Sequence, residues 1–195
     1  MHILQIILFL LLAGFLSTNA QTKWMIDKAH SKVQFSATHL IISEVTGEFK
    51  NFDGSIETNG DDFSNAKVNF TIDVSSISTD NEQRDNHLKS DDFFNAQKFP
   101  KMTFVGKSMQ RVGDNKYKLV GDLTIRDITK QITLDVTYNG TVKDPWGNTK
   151  AGFKITGELN RFDYNLKWNV LMEAGGAVVG KMIGITINLE LQKSK

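Results

Sequence analysis

The sequence predicts an all-β domain: a single antiparallel barrel of eight strands with one short helix. Three observations carry that prediction. Apolar and polar residues alternate with a period of two along most of the chain. Turn-forming residues separate the alternating runs. Only two prolines, Pro100 and Pro145, interrupt the 195 residues.

Taken in order, Val33, Phe35, Ala37 and His39 share one face of the first clear run, with Lys32, Gln34, Ser36 and Thr38 on the other. Strands are expected next near Val45 to Phe52 and around Ile56. Val68, Phe70 and Ile72 then alternate with Lys67, Asn69, Thr71 and Asp73, and another strand is expected over Met102 to Gln110. Tyr117, Leu119, Gly121, Leu123 and Ile125 form a row, as do Ile132, Leu134, Val136 and Tyr138. Phe153, Ile155, Gly157 and Leu159 follow, and Ile183, Ile185, Ile187, Leu189 and Leu191 close the chain. Turns are expected at Asn59-Gly60, Gly113-Asp114-Asn115, Asn139-Gly140 and Trp146-Gly147-Asn148. Gln83 to Phe94 reads as the helix, with a polar start and apolar Leu88, Phe93 and Phe94. Hairpin connections imply antiparallel pairing, and a sheet of this many strands closes on itself to remove its edges. Gly47, Gly121, Gly157 and Gly184 are places where such a sheet could bend. An eight-stranded barrel has room for packed side chains or one slender ligand. Periodicity does not choose between them.

The first twenty residues differ in kind. Ile3 to Leu16 is nearly unbroken apolar sequence, followed by Ser17-Thr18-Asn19-Ala20. An apolar run shorter than the roughly 20 residues of a spanning helix, ending in small residues, has the layout of a secretory signal peptide cut after Ala20. The expected organisation is therefore a signal over 1–20 and one domain over 21–195, placing the product in the periplasm or outside the cell. The formal net charge of +1 argues against nucleic acid as a partner. There is no cysteine, which removes disulfides, thiol catalysis and Cys-bound zinc and leaves stability to the hydrophobic core.

Several segments together resemble the YceI-like family of lipocalin-like, polyisoprenoid-binding proteins. They are Trp24-Met25-Ile26-Asp27-Lys28-Ala29-His30-Ser31, with His39 and Val45-Thr46-Gly47-Glu48-Phe49; Arg84-Asp85-Asn86-His87-Leu88; Phe99-Pro100-Lys101-Met102-Thr103-Phe104; Gly121-Asp122-Leu123-Thr124-Ile125; Asn160-Arg161-Phe162-Asp163-Tyr164; and Trp168-Asn169 with Gly175-Gly176-Ala177-Val178-Val179-Gly180. Asp127 stands where the family pattern has glycine, Tyr164-Asn165 where it usually reads Phe-Gly, and Lys181 where it often has an acid. The resemblance implies a barrel with an internal apolar tunnel that binds, stores or transports a long-chain isoprenoid lipid. That lipid would be a polyprenyl phosphate or pyrophosphate, or a quinone. The expectation is a non-enzymatic protein with no cofactor beyond the bound lipid and transient membrane contact during lipid exchange, and because one closed barrel needs no partner, monomer and homodimer both stay open.

On this reading the tail lies against Val33, Phe35, Ala37, Val68, Phe70, Ile72, Leu119, Leu123, Ile132, Leu134, Val136, Phe153, Ile155, Ile185 and Ile187. The head group is expected near His39, Arg84, Asp85, His87, Arg161, Trp168 and Asn169. Blander readings stay open for these polar residues: Arg84 with Asp85 as an ion pair or helix cap, Arg161 paired with Asp163, and Trp168 as a plug. A hydrolase built on Arg84, Asp85 and His87 lacks a Gly-x-Ser-x-Gly elbow, and a filled barrel acting in envelope stress needs no ligand. His30, His39 and His87 show no compact ligand spacing, so no metal site is expected.

Overall fold

The structure is a computed structural model and describes residues 21–173 and 175–194. The apolar N-terminal run and the expected cut after Ala20 lie outside the described residues. Among these, the strands are β1 (Gln21–Ile26), β2 (Lys32–His39), β3 (Ser43–Phe49), β4 (Phe52–Asn59), β5 (Asp62–Asp73), β6 (Ile77–Ser78), β7 (Lys101–Gly113), β8 (Lys116–Ile125), β9 (Ile128–Lys143), β10 (Thr149–Asn160) and β11 (Val179–Lys193), with helix α1 (Glu82–Lys89) between β6 and β7. No helix among the described residues is long and apolar enough to cross a membrane.

These strands make eight antiparallel staves, and the expected barrel is present. The ring runs β1, β4, β5, β7, β8, β9, β10, β11, and closes where β1 pairs with β11. The wall has eight staves because three are each built from two collinear pieces. β1 and β2 both pair along β11, β4 and β3 pair with them in turn, and β5 and β6 follow. The single strand expected across Val45 to Phe52 is thus broken at Lys50-Asn51. There the Ser76 hydroxyl accepts a hydrogen bond from the Asn51 N–H (3.0 Å) and the Ser76 carbonyl one from the Lys50 N–H (3.2 Å). Breaking neighbouring staves at one level lets a strongly twisted sheet turn a corner without leaving backbone groups unpaired.

Two other sequence expectations change. Asn139-Gly140 is not a turn. It lies inside β9, where Tyr138 pairs with Phe153 and Gly140 with Gly152, so Asn139 is an inserted residue and Gly140 takes φ of 120°. This is a β-bulge, which asks for the same glycine as a turn. The helix ends at Lys89 rather than Phe94. The Ser90 hydroxyl donates to the His87 carbonyl (2.7 Å), and the Ser90 carbonyl accepts from the Phe93 and Asn95 N–H groups, so the chain folds into tight turns that tip Phe93 and Phe94 toward the barrel.

The core divides the barrel lengthwise. At the end carrying the β4–β5, β7–β8 and β9–β10 turns, Trp24, Phe63, Tyr138 and Phe153 pack ring against ring, with centroids 4.8–5.6 Å apart. The Trp24 indole N–H donates to Thr58 Oγ1 at 3.0 Å, satisfying the one polar atom of a fully buried ring. The other end is covered by α1, the β8–β9 turn and the chain between β10 and β11. Arg126, in that two-residue turn with φ of 55°, donates to the carbonyls of Asp91, Phe93 and Asn165 and to the Asp91 carboxylate. One guanidinium thereby ties all three covering segments together.

Candidate functional site

Between the aromatic plug and the covering segments the barrel is hollow. A cavity of about 190 Å³ is walled by the inward rows: Val33, Phe35 and Ala37 of β2; Val68, Phe70 and Ile72 of β5; Leu119 and Leu123 of β8; Ile132 and Leu134 of β9; Ile155 of β10; and Ile185 and Ile187 of β11. Alternation puts these side chains inside because every second residue of a pleated strand faces the same way. Val136 and Phe153, expected in the same wall, belong instead to the filled core. Phe104, Leu159 and Leu189 also line the space, and the parity of their strands already places them there. Phe49 lines it from the neighbouring β3, while Leu88, Phe93, Phe94 and Leu166 come from the covering segments, where no period announces them.

Glycines shape the wall. A β-carbon on Gly121 would collide with the Phe104 ring and come within 2.6 Å of the Val105 carbonyl. One on Gly47 would strike the Phe35 ring. The missing side chains let large aromatic rings lie flat along the sheet instead of crossing the hollow.

A second compartment of about 200 Å³ shares Phe35, Ala37, Leu88, Phe93 and Val179 with the first and opens beside α1. Its wall adds polar groups: His39, Thr79, Arg84, His87 and Trp168. Four of the seven expected head-group residues therefore meet at one mouth. Arg84 Nε donates to Thr79 Oγ1 (2.7 Å) and its NH2 to the Thr79 carbonyl (2.8 Å), which leaves NH1 without a partner among the described residues. Thr79 is held in turn by Asp85, whose Oδ1 accepts both its N–H (2.8 Å) and its hydroxyl (2.6 Å). Asp85 thus positions the Arg84 guanidinium from behind. His87 Nε2 lies 2.8 Å from Asp92 Oδ2, and its ring stands edge-on against Phe93 and Trp168. The helix cap is Asn81, which accepts from the Arg84 N–H.

The remaining two expected residues are not at this mouth, although Arg161 does border the apolar hollow. Arg161 is 1 % exposed. It donates to the carbonyls of Gly180, Leu166, Trp168 and Val179, while Asp163 pairs with Lys130. Burial lowers its pKa, and its donors are spent on folding the β10–β11 connection. Asn169 faces solvent. Arg126, which secures the cover, carries no motif in the sequence, because its role depends on three distant segments converging. Asp27, His30 and Glu190 present three potential metal-binding atoms within 4.8 Å of one another. Lys150 Nζ already fills that group, 2.6 Å from Asp27 and 3.2 Å from Glu190, so an ammonium supplies the positive charge there.

A family model described as a YceI-like domain matches residues 24–191. The chain belongs to the YceI-like family. A UPF0312 protein of Staphylococcus aureus is 43% identical over 175 residues, covering 89% of this chain and 99% of its own. Among solved structures, a Campylobacter jejuni YCEI protein is 32% identical at a TM-score of 0.67, covering 81% of this chain and 90% of that one. A polyisoprenoid binding domain from Saccharophagus degradans shares 16% identity at a TM-score of 0.63, over 88% of this chain and 98% of that one, and is a likeness of fold. The departures of this YceI-like chain from the family pattern are accommodated locally. Asn165 takes φ of 58° after the short 3-10 turn Arg161–Tyr164, and asparagine is among the residues that tolerate this left-handed region where glycine is otherwise preferred.

Proposed function

We propose that the protein binds a lipid with an isoprenoid tail and carries or stores it in the cell envelope after export. One observation carries this reading: an apolar hollow, blocked at one end by rings, continues at the other into a compartment whose wall includes polar groups with hydrogen-bonding capacity to spare. Engineered apolar cavities of about 150 Å³ stay dry and take up benzene, so the present hollow of about 190 Å³ suits a tail end of about one to two isoprene units. A longer tail requires Phe35 and Phe93, which line both compartments, to turn aside. Each buried CH₂ contributes about 0.8 kcal/mol gross, so a few five-carbon units suffice even after the costs of ordering. The polar head needs partners at the mouth, and Arg84 NH1, His39 and the Trp168 indole N–H are placed to donate to phosphate or quinone oxygens. The family and the polyisoprenoid-binding neighbour support the ligand class.

We read the protein as a carrier rather than an enzyme. Asp85 is occupied by Thr79 and His87 by Asp92, an arrangement that builds a mouth and leaves no activated nucleophile among the bonds of this cluster. The test is organic extraction of protein purified from its own host, followed by mass spectrometry. Stoichiometric recovery of a polyprenyl lipid or quinone is the expected result. Protein that is empty and also ignores added polyprenols and quinones refutes it.

A further inference from the structure

Resting on the carrier reading, we propose that the rim beside the mouth is a docking surface for a lipid bilayer, centred on Ile41, Ile42, Val170 and Leu171. These side chains are 64, 86, 48 and 68 % exposed. Apolar residues this exposed are unremarkable singly, but these four fall on two loops that form one platform. The Leu40 N–H donates to the Val178 carbonyl and the Val178 N–H to the Val170 carbonyl, both at 2.9 Å. The Ile41 side chain packs against Gly176, with Met172 beside it.

The platform is continuous with the mouth. His39 and Val178, which wall the polar compartment, directly adjoin Leu40 and the Val170 loop. The local backbone is also held against its preference: Leu40 and Ile41 take φ of 50° and 67°. A β-branched residue there is an outlier, of the kind concentrated at functional sites. The turn, closed by the Ile42 N–H on the His39 carbonyl (3.2 Å), leaves both isoleucines exposed.

Charge identifies the partner. The described residues of the two loops, 40–42 and 165–178, carry Lys167 against Glu173, and Glu44 of β3 and Lys181 of β11 flank them, a balanced set. It matches a zwitterionic surface and has no basic excess for attracting anionic lipid. A water-insoluble cargo enters and leaves through this mouth, and an apolar rim pressed on a membrane gives it a path that never crosses water.

The test uses the chain from Gln21 onward, which contains every described strand and excludes the apolar run of residues 3–16. Binding to phosphatidylcholine vesicles is measured by flotation, and transfer of a fluorescent polyprenol between vesicles by energy transfer. Ile42→Ser with Leu171→Ser is expected to weaken vesicle binding and slow transfer at least tenfold, with cargo loaded from detergent retained and the melting temperature unchanged. Trp146→Ser, at the plugged end, is expected to leave all four readouts alone. Should the double variant fold poorly, Ile42→Ser alone serves, since that side chain is 86 % exposed. Binding by the parent protein should change less than twofold between low and high salt.

Unchanged vesicle binding in the lip variants, binding that needs anionic lipid, or a parent protein that ignores vesicles overturns the proposal. So does a dimer of the parent that the lip substitutions dissolve, which would assign the surface to a second copy. Vesicle binding that depends on the lip in a protein that takes up no polyprenol or quinone would instead sink the carrier reading and leave the docking surface standing.

Discussion

Lys150 Nζ lies 2.6 Å from Asp27 Oδ2, fastening β10 to the point where the first stave breaks between β1 and β2. Glu190 of β11 completes the clasp at 3.2 Å. The hydrogen bond from Lys150 holds the Asp27 carboxyl down at about 2 against an ordinary value of 3.8, and the same bond raises Lys150. A carboxylate whose pKa is depressed by folding stabilises the fold above its unfolded pKa, and the contribution disappears as pH falls from about 4 toward 2. Lys150 behaves oppositely: its contribution is complete below 10.5 and fades at still higher pH. Thermal melting of the parent and of Asp27→Asn between pH 7 and 2 should show a difference of about 1–2 kcal/mol at neutrality that shrinks to nothing in acid. A constant difference across that range would remove the clasp.

Arg161 satisfies four carbonyls from a position that is 1 % exposed. Arg161→Met keeps the bulk but leaves those acceptors without donors. A loss of about 3–5 kcal/mol is expected, with hydrogen exchange accelerating first between residues 161 and 180. A denaturant midpoint close to that of the parent would mean the connection is held by something else.

Gly121 faces the Phe104 ring and the Val105 carbonyl with no room for a β-carbon. Gly121→Ala should cost about 1–3 kcal/mol through overpacking and push the Phe104 ring into the hollow. Calorimetry reads the first effect, and reduced polyprenol capacity the second.

Ala37 lines both compartments. Ala37→Phe places a ring across the space joining them. Extracts of this variant should lack lipid while its melting temperature stays within a few degrees of the parent. Retention of full occupancy would show that the tail takes another route.

Arg84→Gln removes the cation at the mouth. A hydrogen bond to a charged group is worth about 1.5–3 kcal/mol, so affinity for a lipid bearing a phosphate or quinone head should fall about tenfold or more. A headless isoprenoid hydrocarbon should bind as before, and competition titrations with both ligands separate the two outcomes.

Alternation alone placed most of the wall. Val33, Phe35, Ala37, Phe70, Leu134 and Ile187 face inward as their strands' parity requires, because a residue in a pleated strand has only two faces and one must be dry. The sequence therefore determined the barrel, its inward rows and the neighbourhood of its mouth, where His39, Arg84, His87 and Trp168 do meet. What it left open depended on contacts between residues far apart in the chain. Whether the middle was solid or hollow turned on the aromatic plug of Trp24, Phe63, Tyr138 and Phe153, which assembles only when strands from both ends of the chain close the ring. The fate of Arg161, drawn into backbone carbonyls, and of Arg126, tying its own turn to two other covers, was likewise decided by tertiary structure. A guanidinium's role is set by which acceptors reach it, and no local period encodes that.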